Sequence, residues 1–337
     1  MTLKDTLFAL SGAAGVGTVR GAADLAFDML SKYVPCEKSD NLTVIGKLKG
    51  KSDYTLLLDA HIDEVAMIVT HVDDEGFLTC AKAGGIDLRC LPARVVTVHG
   101  KTPIPAVFCS TPPHLSDGDA EYDDIAKLKL DTGLGEKARE CVSVGDYVTF
   151  RAQPCELLGE RVTGKSFDDR AGVACLIELA KRLCGKELPV SVAFVACDME
   201  ELGMRGSRTA AFSVSPNEAI ALDVSFGDGP GISDDECGKL GGGAMIGISP
   251  VIDRRISDRL LDIASEKGLC RQTEIMGGRT GTDADVISLT REGVPCGVVS
   301  IPLRNMHSDV ELLDLGDLTN VCDLLEGYIL SGGIMND

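Results

Sequence analysis

The segment Ser191-Val-Ala-Phe-Val-Ala-Cys197 decides the fold, and Asp198-Met-Glu-Glu201 follows it at once. The uncharged run, rich in valine and alanine, predicts a buried strand. Neighbouring residues of a strand point to opposite faces, so Glu200 and Glu201 are expected to point in opposite directions and one partner cannot easily neutralise both. Because an uncompensated buried charge costs several kcal/mol, a bound cation is one solution. Further metal ligands are therefore expected elsewhere in the chain.

Strands and helices alternate on both sides of this segment. Strands are predicted at residues 42–48, 54–60, 65–71, 219–223, 271–275 and 296–301, and helices at 18–33, 173–183, 253–267, 284–291 and 318–329. Such alternation is typical of an α/β fold with a mainly parallel sheet flanked by helices.

The middle of the chain has a different pattern. Short β-rich runs at 77–81, 93–98, 104–109, 128–131 and 147–151 are separated by Gly, Pro and Asp, without a convincing helical stripe. We therefore predict that residues 71–158 form an inserted small all-β domain. Residues 1–70 and 159–337 would together form the discontinuous α/β domain, since insertions are tolerated at surface loops.

Composition and charge exclude several classes of protein. The formal charge is −19, from 33 basic and 52 acidic residues, so nucleic acids and anionic membranes are not expected as partners. Thirteen cysteines occur without a Cys-x-x-Cys pair, which is typical of reduced thiols in the core. No apolar run approaches the roughly 20 residues of a membrane span, and no signal peptide is recognisable. A cytoplasmic protein is expected.

Residues of the types that bind metals occur at the ends of several apolar runs. They are His61 and Asp63, Asp168 and Asp169, Glu200 and Glu201, Asp223, and His307. Ligands of open parallel sheets bind outside the carboxyl ends of the strands, so these side chains are expected to converge. Taken singly, most have simpler explanations: helix-start carboxylates, a core histidine or a turn cap. Two of the five histidines fall beside acidic groups at strand ends, which favours the joint explanation.

The mixture of ligand types indicates the metal. Imidazole and carboxylate without thiolate suit zinc, cobalt or manganese better than magnesium or an iron–sulfur cluster. These residues come from five segments of the chain, and five ligands, one from each segment, are too many for one tetrahedral ion that must also bind water. They suit two divalent ions about 3.5–4 Å apart that share one bridging carboxylate.

Six motifs, spread over nearly the whole chain, carry a family resemblance. They are Asp59-Ala-His-Ile-Asp-Glu64, Gly84-Gly-Ile-Asp87 with Val96-Thr-Val-His-Gly100, Gly164-Lys-Ser-Phe-Asp-Asp-Arg-Ala-Gly172, Glu200-Glu-Leu-Gly203, Gly281-Thr-Asp-Ala284, and His307-Ser-Asp-Val-Glu311. As an ordered set, they resemble the tetrahedral dinuclear metalloaminopeptidases, which include glutamyl, leucyl and lysyl aminopeptidases. The resemblance implies a zinc-exopeptidase-like fold and metal-dependent hydrolysis of N-terminal residues from peptides.

The resemblance also implies a role for each ligand. Asp168 would bridge two ions, with His61 and Asp223 on one ion and Glu201 and His307 on the other. Zinc or cobalt is the expected metal, with manganese as a further possibility.

The remaining roles concern catalysis and assembly. Glu200 would be the general base, and Asp63 a carboxylate that orients the His61 side of the site. The inserted β domain of the family makes dimer contacts, and six dimers form a tetrahedral dodecamer in many relatives. The resemblance leaves the preferred N-terminal residue open, because Asn305, Met306 and the Arg279-Thr280 insertion depart from the usual pattern.

A phosphate-binding loop is a competing explanation for one motif. Gly159-Glu-Arg-Val-Thr-Gly-Lys-Ser166 matches GxxxxGKS in full, and its amides and Lys165 could cradle the phosphates of a nucleotide. The preceding residues form no strong apolar strand, and residues 159–163 themselves are typical of a strand. The alternative also leaves His61, the glutamate pair and His307 unexplained.

Two further alternatives do not involve nucleotides. The chain could be a non-catalytic oligomeric protein that binds metal or peptide, although the complete ligand set together with Glu200 argues against this. Hydrolysis of glycans has been attached to some relatives. Adjacent carboxylates are poorly placed to flank a glycosidic bond, yet the pair alone does not exclude it.

Overall fold

A computed structural model describes residues 1–115 and 124–335 of the chain. The strands within these ranges are β1 (Cys36–Lys38), β2 (Val44–Leu48), β3 (Thr55–His61), β4 (Ala66–Val72), β5 (Leu78–Ala83), β6 (Val95–His99), β7 (Pro103–Phe108), β8 (Leu130–Asp131), β9 (Tyr147–Phe150), β10 (Cys155–Glu156), β11 (Arg161–Gly164), β12 (Ser191–Cys197), β13 (Glu218–Phe226), β14 (Ala244–Ile248), β15 (Arg271–Ile275), β16 (Cys296–Leu303) and β17 (Glu311–Asp314). The helices are α1 (Leu3–Gly12), α2 (Gly21–Leu30), α3 (Ala138–Cys141), α4 (Phe167–Leu183), α5 (Arg205–Val214), α6 (Arg254–Lys267), α7 (Ala284–Ile287) and α8 (Leu315–Ser331).

The main sheet is mixed, with a parallel centre. Its strand order is β1-β2-β12-β3-β13-β16-β14-β15. The four central strands β12, β3, β13 and β16 are mutually parallel, whereas β2 and β14 join the central group antiparallel. The α/β prediction is therefore confirmed, while the sheet is less uniformly parallel than predicted. The parallel centre brings four carboxyl ends to one edge of the sheet.

Helices cover both faces of this sheet. Helices α4 and α8 pack on one face, and α5 and α7 pack on the other. Along β3, Leu56 and Leu58 belong to the core under α4, and Leu57 belongs to the core under α5. This alternation explains the continuous apolar runs of the central strands, because a strand buried on both faces needs apolar side chains at every position.

The β-rich middle of the chain forms a closed barrel. Its strand order is β4-β5-β8-β7-β6-β9, and pairing of β4 with β9 closes it. Met67, Leu78 and Phe108 are in its own apolar core. The barrel strands run from Ala66 to Phe150, so β4 belongs to the barrel rather than to the segment before residue 71. Residues 116–123 of the predicted insert lie outside the described part. The division into two domains stays a prediction.

Several elements differ from the predictions. The first helix is α1, ahead of the predicted one, and it starts with a capping box between Thr2 and Asp5. Strand β14 was not predicted, and α7 ends at Ile287 rather than at residue 291. No helix of the described residues combines the length and apolar character needed to cross a membrane.

Candidate active site

The predicted ligands converge at the carboxyl edge of the central strands. His61 is the last residue of β3, and Asp223 lies near the end of β13. His307 follows β16, and Asp168 lies at the start of α4. Asp168 and Asp169 do not have helical backbone angles (φ −75°, ψ 106° and φ −115°, ψ 42°). They therefore enter the site from a bend before the regular helix, not from its first turn.

Asp168 lies between the two histidines. Its Oδ1 is 2.9 Å from His61 Nε2, and its Oδ2 is 3.3 Å from His307 Nε2. His307 Nε2 also lies 3.3 Å from Glu201 Oε1. The two oxygens of one carboxylate thus face two different imidazoles, which is the arrangement that a bridging ligand requires.

The potential ligand atoms fall into overlapping groups. His61, Asp168 and Asp223 form one group, and Asp168, Glu201 and His307 form another. Within each group the ligand atoms lie within 4.8 Å of one another. Asp168 belongs to both groups, so the structure brings together all five predicted ligands in two sets that share one residue.

Glu200 and Glu201 lie beyond the end of strand β12, which stops at Cys197. The expectation that they point to opposite faces of the sheet is therefore wrong, and both line the same cleft. Their backbone amides donate to the two oxygens of Asp63 at 3.0 and 3.3 Å. Asp63 Oδ1 is also 3.3 Å from His61 Nδ1. Asp63 is thus placed to orient His61 and both glutamates.

Two groups that the sequence analysis did not assign hold the other side of the site. The buried carboxylate of Glu311 accepts from the amides of Asp168 at 3.1 Å and His307 at 2.9 Å. The carbonyl of Gly85 lies 2.8 Å from His307 Nδ1, so donation from Nδ1 leaves Nε2 directed at Asp168 and Glu201. Glu311 and Gly85 both belong to family motifs quoted above, and this membership is the sequence signal that could have identified them.

The pKa values of the ligands reflect their mutual contacts. Burial lowers the pKa of His61, but hydrogen bonds to Asp168 and Asp63 outweigh burial and raise it well above its usual value. For His307 the same balance, with Asp168 and Glu201, raises the pKa to about 11. Burial would raise the pKa of Asp168, yet its bonds to the two histidines hold it well below its usual value. Metal binding would release the imidazole protons, because ligands bind deprotonated.

Glu200 and Asp223 form no hydrogen bond with a histidine among the described residues. Burial raises the pKa of Glu200 to about 8, and it raises the pKa of Asp223 well above its usual value. Among the described residues, no lysine or arginine forms an ion pair with Asp168, Glu200, Glu201 or Asp223. Buried carboxylates without lysine or arginine partners favour a metal ion, and oxygen with imidazole nitrogen fits zinc, cobalt or manganese.

Ligand atoms of His61, Glu200 and Glu201 also lie within 4.8 Å of one another, and a further acidic group lies close to the site. Asp59 and Asp283 are buried on either side of Cys197, whose Sγ is 2.8 Å from Asp283 Oδ2 and 3.5 Å from Asp59 Oδ2. Ser207 donates to the other oxygen of Asp283. The members of this group bind one another through these contacts, although Asp59 Oδ1 has no hydrogen-bond partner among the described residues.

The GxxxxGKS motif does not form a phosphate-binding loop. Residues 161–164 are strand β11, which pairs with β10 and β17. Lys165 Nζ is buried and lies 2.6 Å from Glu64 Oε2, and Ser166 Oγ donates to the same oxygen at 2.8 Å. Arg170 contacts the other oxygen of Glu64 at 3.0 Å. The groups that would bind phosphate are therefore occupied inside the protein, which excludes this explanation.

Replacement of Lys165 by methionine is expected to lower the free energy of unfolding by about 3–5 kcal/mol, because it removes one partner of a buried ion pair. Urea denaturation would measure the loss. Lys181→Met is the matched control: this lysine is 41% exposed in its pair with Glu178, so a change of about 0.5 kcal/mol or less is expected. Equal effects of the two substitutions would contradict a structural role for Lys165.

The predicted centre opens into a cleft of about 560 Å³. Its lining includes the proposed ligands and base, which are His61, Asp168, Glu200, Glu201, Asp223 and His307. Phe226 and Met306 are among the residues that line the remainder. The cleft is therefore large enough for a small substrate or the end of a peptide.

The comparisons with a family model, with related sequences and with solved structures each find aminopeptidases. A model of the M42 glutamyl aminopeptidase family matches residues 43–324. The lysyl aminopeptidase of Pyrococcus furiosus is 32% identical over 322 residues, which cover 92% of this chain and 91% of that protein. The TET aminopeptidase of a marine-sediment Thaumarchaeota archaeon has a TM-score of 0.93 at 29% identity, covering 98% of this chain and 97% of that chain.

A second solved structure is informative about assembly. The TET1 peptidase of Pyrococcus horikoshii has a TM-score of 0.87 at 29% identity, covering 98% of this chain and 99% of that chain. That protein can assemble into a tetrahedron or a large octahedral shell. The family match includes every residue predicted for the site, and it confirms the resemblance found in the motifs. The chain therefore belongs to the M42 glutamyl aminopeptidase family and is an aminopeptidase of this metallopeptidase family.

Proposed function

We propose that the chain hydrolyses the first peptide bond of its substrates with two divalent ions that share Asp168. His61 and Asp223 would hold one ion, and Glu201 and His307 the other. The observation that carries this assignment is the pair of ligand groups with Asp168 in common. Zinc or cobalt fits the donor set best, and manganese also fits it.

Glu200 is the general base in this mechanism. Bound by the five proposed ligands, two divalent ions would supply a lower pKa for a water molecule and polarisation of the scissile carbonyl. Glu200 takes a proton from the water molecule while the water oxygen attacks the carbonyl carbon. Glu200 then passes this proton to the leaving amine. The hydrogen bond from the Glu200 amide to Asp63, at 3.0 Å, fixes the backbone that carries this carboxylate.

Asp63 is a positioning residue. It lies 3.3 Å from His61 Nδ1 and accepts from the amides of Glu200 and Glu201. One buried carboxylate therefore fixes a proposed metal ligand on each ion and the proposed base. Such support of ligands from behind commonly determines metal affinity.

The proposed assembly is a homo-oligomer in which barrels form dimer contacts and dimers form a tetrahedral dodecamer. Val95 and Val107 are register partners on β6 and β7, and they are 48% and 39% exposed. Adjacent exposed valines on an outer barrel surface are suited to burial against a second copy.

The free state of all thirteen cysteines fits a reducing cytoplasm, which is the proposed location.

Removal of divalent metal is expected to lower the rate of aminoacyl anilide hydrolysis by at least about 100-fold, because both water activation and carbonyl polarisation are lost. The activity of the chelated protein would be measured first without added metal and then with zinc, cobalt or manganese. A peptide with an acetylated N-terminus is the control and should not be cleaved.

Chelator-resistant hydrolysis, or cleavage of the blocked peptide, would contradict the proposed function. Tight binding of metal and peptide without any turnover would instead favour the non-catalytic alternative.

A further inference from the structure

Beyond the proposed metal ligands and Glu200, the cleft contains one other ionisable side chain among the described residues that line it. This residue is Glu274, on the edge strand β15. Other residues that line the cleft carry hydroxyl groups or apolar side chains, among them Ser225, Ser300, Phe226 and Met306. A peptide whose first carbonyl lies at the metal centre would have its first side chain within this same cleft.

The Glu274 carboxylate is held in a defined position. Ser225 Oγ donates to Oε1 at 2.5 Å, and Ser300 Oγ donates to Oε2 at 2.7 Å. Ser300 is the register partner of Asp223 on the neighbouring parallel strand, and Ser225 lies two residues after Asp223. The same two strands therefore fix a proposed metal ligand and the two hydroxyls that orient Glu274.

The Glu274 carboxylate lacks a cationic partner in the described part of the chain. Among the described residues, no lysine, arginine or histidine forms an ion pair with it. A carboxylate offers about four acceptor positions, and the two serines occupy two of them. Two positions therefore remain for a donor that enters the cleft.

The neighbouring surface has the same sign of charge. Glu274 and Phe226 also line an adjoining cleft of about 580 Å³, whose other lining residues, within the described part of the chain, include Asp235 and Glu236 and no basic residue. The local field therefore favours a cation and disfavours an anion.

We propose that Glu274 selects substrates whose first residue has a cationic side chain, lysine or arginine. The inference rests on the proposed function, because it assigns the pocket for the first side chain of that same substrate. An ammonium or guanidinium group would donate to the free positions of Glu274, while its aliphatic stem packs against Phe226 and Met306. A glutamyl side chain would meet a like charge, and an apolar one would cover Glu274 without supplying a partner.

Two other roles for Glu274 predict different kinetics. If Glu274 only tied the strands together through its serines, its loss would affect every substrate equally. If it bound the α-amino group, its loss would again affect every substrate equally, because all of them carry that group. Only recognition of the side chain changes the ratio between substrates.

The test compares lysyl, norleucyl and glutamyl p-nitroanilides with the metal-loaded protein. Norleucine has the straight carbon stem of lysine without the ammonium group. The wild-type protein should give kcat/KM for the lysyl substrate about 10- to 100-fold above that for norleucyl, with glutamyl lowest. Glu274→Gln should remove this advantage while the norleucyl value stays within about threefold. Glu274→Lys should raise the glutamyl value relative to the lysyl value.

Glu236→Gln is the matched control, since it removes the same charge from an exposed position of the adjoining cleft. It should leave the lysyl-to-norleucyl ratio within about threefold of wild type. A wild-type preference for glutamyl, or equal losses for lysyl and norleucyl in Glu274→Gln, would overturn the inference while leaving the proposed function intact. Should a variant not fold, the wild-type ratios alone decide. Failure of the wild type to cleave any of the three would contradict the proposed function, and this inference with it.

Discussion

Replacement of Glu200 by glutamine is expected to lower kcat by about 10²- to 10⁴-fold, the usual contribution of a general base. Glutamine cannot accept the proton of the attacking water, although it has nearly the same shape. Glu200 is not one of the five proposed metal ligands, so both ions should remain bound. Steady-state hydrolysis of an aminoacyl anilide would give kcat, and elemental analysis of the same sample would give its metal content.

The adjacent residue supplies the matched control for this substitution. Glu201 Oε1 lies 3.3 Å from His307 Nε2 in the group that would hold one ion. Glu201→Gln should therefore lose activity together with metal, whereas Glu200→Gln should lose activity alone. Full activity of Glu200→Gln, or loss of metal from it, would remove Glu200 as the base.

Replacement of Asp168 by asparagine is expected to weaken binding of both ions and to lower activity by at least about 10²-fold. The physical reason is that Asp168 Oδ1 and Oδ2 face His61 and His307 separately, at 2.9 and 3.3 Å. An amide offers one oxygen acceptor and one NH₂ donor, so it cannot serve two cations. Isothermal titration of metal into the chelated variant would measure the loss.

Asp223→Asn is the comparison for this second prediction. Asp223 belongs only to the ligand group of His61 and Asp168, so its substitution should weaken one ion and leave the other. A bridging role for Asp168 would be refuted if Asp168→Asn lost a single ion, as Asp223→Asn should.

Much of the central sheet could be predicted because its signal is local. Strands β3, β12, β13 and β16 are apolar runs of strand length, and both faces are buried. Strand β15 begins and ends at the predicted residues 271 and 275. Hydrophobic pattern alone was sufficient where each residue's burial depends on its own type.

Other elements had weak or misleading local signals. Strand β14 contains Gly247 and follows Gly241-Gly-Gly243, which indicate a loop by composition. Its antiparallel pairing with β16, like that of β2 with β12, depends on contacts distant in sequence. No periodicity within one strand reports the direction of its neighbour.

The candidate site also combines features with a local sequence signal and features that depend on contacts between distant residues. The ligand types were readable because strand ends with His, Asp and Glu are unusual, and the family resemblance supplied their roles. The residues that orient these ligands were not readable in this way, because their contacts join distant parts of the sequence. Gly85 and His307, for example, are 222 positions apart. Glu274 was missed since an isolated glutamate in an alternating strand is typical of a solvent-facing residue.

The most direct test of the dinuclear centre is a metal titration of the chelated protein, with anilide hydrolysis and bound metal followed in the same samples. The two-ion centre predicts that activity saturates at two equivalents of zinc, cobalt or manganese per subunit, and that Asp168→Asn abolishes both binding events. Full activity at one equivalent, or saturation that is unaffected by Asp168→Asn, would contradict a dinuclear centre built around Asp168.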